Sequence, residues 1–422
     1  MAEPIRLLHF ADLHVGVENY GGIDAETGIN TRVLDFLHRV DEMIDYARAH
    51  DVDLTIFAGD AFQTRTPSPT YQREFAWRVR DLAELAPVVL LVGNHDQPTM
   101  LNKATSIEIY ETLAVPNVIV GSEYELRCIE TKRGPVQVAA APYPHRGLLL
   151  KDGALNGLSM AAIDNLMQEA VGRLIAELAQ RASQSDAPRV LAGHFTVHGA
   201  VVGSERSIML GRDAAVLLSA LADPAWDYVA LGHIHKHQNL AARQIGAPPV
   251  VYAGSLERVD FGEEKDPKGF CWVELARGAT SWRFVEVNAR PFVTIRVDVR
   301  GSDDPTADVL ARLDADRLEG KVVRLVVQTT PDAETRLRDN EIRAALRAAH
   351  HVAAYQKEVE RPTRARLGGV SPETLTPREL LARYLASKGT PEDRARTLLE
   401  YADRIFLEEP AASPDDTSIR QE

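Results

Sequence analysis

Cysteine is nearly missing from this chain: of 422 residues only Cys128 and Cys271 carry a thiol, and they lie far apart. That argues against a disulfide framework or a Cys-type zinc site, and a reducing cytoplasm is the compartment expected. No apolar run is long enough to span a bilayer, so no membrane is expected among its partners. The opening "MAEPIRLLHFADLH" lacks a basic segment followed by an apolar one, and from Ile5 it reads as a first strand rather than an export signal. Positive charge is in deficit too: 48 Lys and Arg stand against 61 Asp and Glu, a net charge of −13. This would argue against a partner as anionic as nucleic acid, except that bound divalent cations invert the local sign of an acidic site.

What is present is ordinary globular composition, long enough for two or three domains. From residue 5 to about 120, short apolar runs alternate with amphipathic ones: "IRLLHF", a helical stretch over Arg32 to Arg48, "DLTIFAGD", another over Tyr71 to Leu85, then "PVVLLVGNHD". Such alternation predicts βαβ units, with polar residues at the carboxyl end of each strand, where open α/β sheets bind ligands. Residues 158 to 182 read as one helix, and "RVLAGHF" and "WDYVALGHIH" as further strands. "PVVYAGS", "GFCWVEL" and "SWRFVEV" are expected to form a second sheet packed on the first, giving a layered α/β sandwich. After "NARP" near 290 the pattern changes to a compact β-α-β-α unit, followed by a Pro, Gly and Arg-rich linker at 361–372. Two helices come next, opened by "TPRE" and "TPED", and the tail "EEPAASPDDTSIRQE" reads as disordered. The expected domains are therefore 1–289, 290–360 and 361–422.

Five separated segments each deliver metal-competent side chains at a strand end: Asp12 with His14, Asp60, Asn94 with His95, His194, and His233 with His235. One such residue is more often a cap or a satisfied loop residue, but carboxylate, imidazole and amide ligands in five places suit a hard or borderline divalent metal. Residues i and i+2 leaving a strand are expected to point to the same side. Setting His95 aside, seven candidate ligands exceed what one ion usually takes from protein, so two ions are expected, with a carboxylate such as Asp60 able to bridge them.

In this order "DLH", "GD", "GNHD", the isolated "GH" and "GHIH" resemble the calcineurin-like metallophosphoesterase superfamily. "LLHFADLHVG", "GHIHKHQ" and "YAGSLERVDFGEEKDPKGF" are similar to its SbcD-type DNA-repair nucleases. The superfamily motifs cover about residues 5 to 240. The resemblance implies a four-layer α/β/β/α sandwich with a small α+β capping domain and C-terminal helices. It implies two divalent metal ions, expected to be Mn2+, one held by Asp12, His14, Asp60 and His235 and the other by Asp60, Asn94, His194 and His233. His95 would be the catalytic residue, with Asp96 orienting its ring. Implied as well are double-strand exonuclease and single-strand endonuclease activity on DNA ends and hairpins. The implied partners are an SbcC-like coiled-coil ATPase docked on the C-terminal helices and a second copy in a homodimer, in the cytoplasm near the nucleoid.

One position departs from the family. In "GDAFQ" related nucleases often carry Asp or His where this chain has Gln63, which is left out of the site. His198 and His9 read as a surface and a core residue, and His145 and His237 as exposed loop residues. Two rival functions stay open: a phosphoesterase acting on small molecules or proteins, and a catalytically silent scaffold for DNA ends.

Overall fold

The computed structural model describes residues 3–98, 100, 103–149, 158–203, 215–313, 318–360 and 375–408; the expected linker at 361–372 and the tail at 409–422 lie outside them. Two compact units divide the chain, one of residues 1–328 with 336–358, the other of 329–335 with 359–422.

In the first unit β1 (Ile5–Phe10), β2 (Leu54–Phe57), β3 (Val88–Leu91) and β4 (Val118–Gly121) run parallel in the order given. Residues alternate faces along each strand, as the pleat requires. Leu8, Phe10, Phe57 and Leu90 pack under helices α1 (Thr31–Ala49) and α2 (Pro69–Leu85), while Leu7, Ile56 and Val89 face the second sheet. Both helices start on a side-chain cap: Asn30 accepts from Arg32 N, and Ser68, ahead of Pro69, accepts from Tyr71 N. The buried face of α1, with Val33, Phe36, Leu37, Val40, Ile44 and Ala47, follows helical spacing and clamps the helix to the sheet.

The second sheet has the order β5 (Glu125–Thr131), β6 (Gly134–Ala141), β7 (Arg189–His194), β8 (Tyr228–Gly232), β10 (Val250–Tyr252) and β9 (Gln238–Asn239). Its inner residues, among them Ala140, Ala192 and Ala230, are small, and they mesh with Leu7, Leu54 and Ile56 of the first sheet. Its outer face carries the helix α3 (Met160–Ala182) through Val171, Ile175 and Leu178. The result is the expected helix, sheet, sheet, helix layering.

Two details differ from the sequence expectation. β11 (Gly269–Leu275) and β12 (Ser281–Glu286) do not join the second sheet; β11 pairs antiparallel with β1, and the two strands extend the first sheet. Cys271 and Val273 still face the inter-sheet core, so apolar pattern alone could not say which sheet they belong to. Beyond residue 290, β13 (Phe292–Asp298) and β14 (Val322–Thr329) are parallel and are joined by a third strand, β15 (His351–Val359), in a small sheet of their own. α4 (Pro305–Arg312) and α5 (Asp339–Leu346) cover it. The alanine-rich run before His351 masked β15, because "RAALRAAHHVAAY" continues a helical composition across the turn.

In the second unit α6 (Pro377–Ser387) opens on a complete capping box between Thr376 and Glu379, and α7 (Glu392–Glu408) packs beside it. Leu385 and Ala402 are buried, but Tyr384, Tyr401 and Ile405 are more than half exposed.

Candidate metal centre

The strand ends of both sheets meet at one edge, and there the backbone leaves regular geometry. Asp12, His14, Asp60 and His233 all have positive φ, between 44° and 95°. Non-glycine residues seldom adopt this conformation, and it concentrates at functional sites. It also corrects the reason given above for the i, i+2 spacing. Asp12 with His14, and His233 with His235, are not aimed together by strand alternation but by left-handed turns that follow β1 and β8.

Main-chain bonds lock these turns to one another. Asp12 N donates to Gly59 O at 3.0 Å and His14 N to Asp60 O at 3.1 Å. Glycine is required where the turns touch: a Cβ on Gly93 would lie 2.1 Å from Asp60 Oδ1, and one on Gly59 would lie 2.4 Å from His194 Nδ1.

Asp60 sits at the centre. Its Oδ1 accepts from His95 N at 2.8 Å, and its Oδ2 lies 3.7 Å from His14 Nε2 and 3.4 Å from His194 Nε2. On one side His14 Nε2 faces His235 Nε2 at 2.9 Å, and Asp12 accepts from His233 N through both oxygens. On the other side Asn94 Oδ1 lies 3.0 Å from His194 Nε2 and 2.9 Å from His233 Nδ1. Ligand atoms of Asp12, His14 and His235 fall within 4.8 Å of one another, as do those of Asp60, His194 and His233, and those of His14, Asp60 and His95. All seven candidate ligands, and His95, are thus brought to one place.

The acceptors behind the rings fix their tautomers. His194 donates from Nδ1 to Ala58 O at 2.6 Å, and His95 from Nδ1 to Gln63 O at 2.8 Å. The Gln63 carbonyl therefore does what was expected of Asp96. Asp96 instead receives Gly93 N, Asp60 N, Ala61 N and Ser106 Oγ, tying the two glycine turns together beneath the site. A main-chain acceptor is invisible to a reading by residue type, as are Glu263 and Lys268 behind His235.

The donors suit divalent cations. Asp12 and Asp60 are 0% and 2% exposed, and no Lys or Arg pairs with either among the described residues. Buried carboxylates need compensating positive charge. Burial pushes the Asp12 carboxyl up and the His14 ring down. Burial also opposes charge on His194, yet Asp60 and Asp12 lift it to about 9. A proton there supplies the positive charge that a cation would, and ligand sets of this kind exchange protons for metal. Neutral imidazole, carboxylate and amide oxygen without thiolate fit manganese, magnesium or iron better than a soft ion. His14 Nδ1 is buried without a partner among the described residues.

Comparison with known proteins agrees with this geometry. The sequence model of the calcineurin-like phosphoesterases matches residues 5–237, more than half of the chain. The chain belongs to the calcineurin-like phosphoesterase family. Among similar proteins, the SbcD component of the nuclease SbcCD of Rhodobacter capsulatus is 27% identical over 399 residues, covering 88% of this chain and 91% of that protein. The corresponding SbcD component from Escherichia coli K12 is 28% identical over 270 residues, 61% of this chain and 62% of that protein. The uncharacterized metallophosphoesterase YhaO of Bacillus subtilis is 27% identical over 342 residues, 78% and 73% of the two chains. A metal-dependent phosphoesterase is the activity this family membership carries. No described helix is long and apolar enough to cross a membrane.

The remaining histidines fall outside the cluster. His9 is buried between the sheets, bonded to Tyr228 Oη and Leu231 O. His198 is exposed. His237, read as an exposed loop residue, is instead half-buried, donating to Tyr252 O and stacked on Phe284 at 4.0 Å.

Proposed function

We propose that this phosphoesterase is a DNA nuclease, the hydrolytic component of an SbcCD-type complex, cutting phosphodiesters at double-strand ends and hairpins with two Mn2+ ions. The observation that carries the reading is the position of Asp60 Oδ2 between His14 Nε2 and His194 Nε2, one carboxylate joining two ligand sets from two sheets. Asp12, His14, Asp60 and His235 would hold one ion, and Asp60, Asn94, His194 and His233 the other. When bound, two such ions neutralise phosphoryl oxygens and lower the pKa of water.

The chain's own residues do the rest. His95 is held by its main-chain NH on Asp60 and by its ring on the Gln63 carbonyl. With the proton of Nδ1 committed there, a second proton on the ring, in its imidazolium form, sits on Nε2, and Nε2 is the atom that stabilises the transition state and hands that proton to the leaving oxygen. Asp60 therefore fixes the distance between the catalytic imidazole and both ligand sets. Similarity to the two SbcD proteins supports DNA as substrate and an SbcC-like ATPase as partner; in this reading residues 290–360 would cap the cleft and 361–422 would meet the ATPase. The exposed Tyr384, Tyr401 and Ile405 of the C-terminal helices are consistent with docking. A homodimer and a place in the cytoplasm near the nucleoid complete the proposal.

The test is cutting of end-labelled duplex and hairpin DNA in Mn2+. Wild type should cut, and His95→Ala should bind metal without cutting. Failure of the wild type, alone and with its ATPase, would sink the nuclease reading. The net charge of −13 favours the second reading, a phosphoesterase of small molecules or proteins. Steady turnover of nucleotides or phosphoproteins without DNA cutting would select it.

A further inference from the structure

Behind His235 lies an arrangement that hydrolysis does not by itself require. After β10 the chain returns past the metal edge through a loop in which Ser255, Glu257, Glu263 and Lys268 are all buried. The single turn Phe261–Glu263, capped by Asp260 Oδ1 accepting from Gly262 N at 2.7 Å, sets the direction of Glu263. Glu263 Oε1 accepts from His235 Nδ1 at 2.7 Å. Its Oε2 lies 2.6 Å from Lys268 Nζ and accepts from Val259 N at 3.0 Å. Lys268 in turn donates to Ser255 Oγ at 2.7 Å and to the His235 carbonyl at 3.3 Å. A buried ion pair therefore grips one histidine by its ring and by its main chain.

Stability alone gives little reason for this. Buried ion pairs are often no better than apolar residues of the same volume, because desolvation offsets the attraction. The neighbouring rings show a cheaper way to fix a tautomer: His194 and His95 donate to main-chain carbonyls. His235 alone of these three is backed by a carboxylate. An anion at Nδ1 both holds the proton there and makes Nε2 a stronger donor to a cation. That Nε2 is the atom facing His14.

We propose that Glu263 is a positioning residue that aims and strengthens His235 as a ligand for the cation it shares with Asp12 and His14, with Lys268 holding the carboxylate in place. The inference rests on the reading of His235 as a metal ligand. It predicts an effect confined to one of the two ions, which a general loosening of the fold would not give.

The test titrates the metal-free full chain with MnCl2 by calorimetry, with Mn2+ electron paramagnetic resonance as a second readout. Glu257→Gln is the control: Glu257 is fully buried in the same loop, but it accepts from Arg258 N and Arg290 N and lies within hydrogen-bond reach of none of the proposed ligands. Glu263→Gln should weaken one Mn2+ site about 10- to 100-fold and leave the other unchanged. Glu257→Gln should lower the melting temperature and change neither affinity. If Glu263→Gln does not fold, Lys268→Gln, which keeps the carboxylate but removes its anchor, should weaken the same site by a smaller factor. Wild-type affinity in the folded variant at position 263 or 268, or equal weakening by Glu257→Gln, overturns the inference while leaving the metal reading intact. A wild type that binds no Mn2+ overturns both.

Discussion

In one ligand set Asp12 takes a main-chain NH on both oxygens and His235 leans on the buried Glu263; in the other, His194 leans on the Ala58 carbonyl and Asn94 gives a neutral oxygen to two rings. The sets share Asp60 but not their charge. The first has a second carboxylate among its ligands and, behind them, a third that is paired with Lys268, and the second has only the shared one. In the proposed two-ion reading, sites built by one edge of one sandwich thus differ in how strongly each should hold a cation, and the difference comes from groups behind the ligands as much as from the ligands themselves.

The comparison breaks most completely at its shared member. Asp60→Asn keeps the shape but removes the only carboxylate between the two sets, and should lower phosphodiester hydrolysis on the order of a thousandfold, the scale of losing a principal electrostatic element of a site. An enzyme assay with bis(p-nitrophenyl) phosphate reads it without depending on the identity of the natural substrate. Single-ligand variants sharpen the comparison. His235→Ala should empty the set with Asp12 and His14, and His233→Ala the set with Asn94 and His194, each lowering bound Mn2+ from two ions per chain to one, as measured by elemental analysis. Loss of both ions from either variant would mean that the sets fill only together.

The smallest effect lies away from both sets. Asp35 on α1 bonds Arg32 Nη1 at 2.6 Å and Arg290 Nε at 2.6 Å. Burial opposes its charge, but Arg290 and Arg32 hold its carboxyl below the usual carboxylate range. A depressed folded pKa gives stability that is present above the unfolded value, about 3.9, and is lost as pH falls through the folded one. Wild type should therefore melt higher than Asp35→Asn at pH 6, with the gap closing below about pH 4. A gap that stayed constant to pH 3 would show that the carboxylate charge contributes nothing.

Much of the edge was legible in the sequence because each motif pairs a chemistry-bearing residue with the glycine its turn demands. Gly59 before Asp60 and Gly93 before Asn94 are spelled out, and the close approaches to His194 and Asp60 explain both. A layered α/β sandwich was legible from strands that alternate with helices, and its four-layer form from the family resemblance. Which sheet β11 and β12 join was not, since residues such as Cys271 face the same inter-sheet core from either side. Nor were the orienting groups: the Gln63 and Ala58 carbonyls have no side-chain signature, and Glu263 stands 28 residues from the ring it serves. His237 was misjudged because a polar residue two positions beyond a ligand looks like loop until Phe284 of β12 is seen beneath it.

The left-handed turns at Asp12, His14, Asp60 and His233 have a consequence for the order of events. Each such residue costs about 1–3 kcal/mol, a strain the surrounding structure must over-determine. Here it is borne by main-chain bonds between the turns and by the packed sheets behind them. A chelator that strips the ions is therefore expected to leave a folded chain able to take them back, which circular dichroism followed by Mn2+ titration would read.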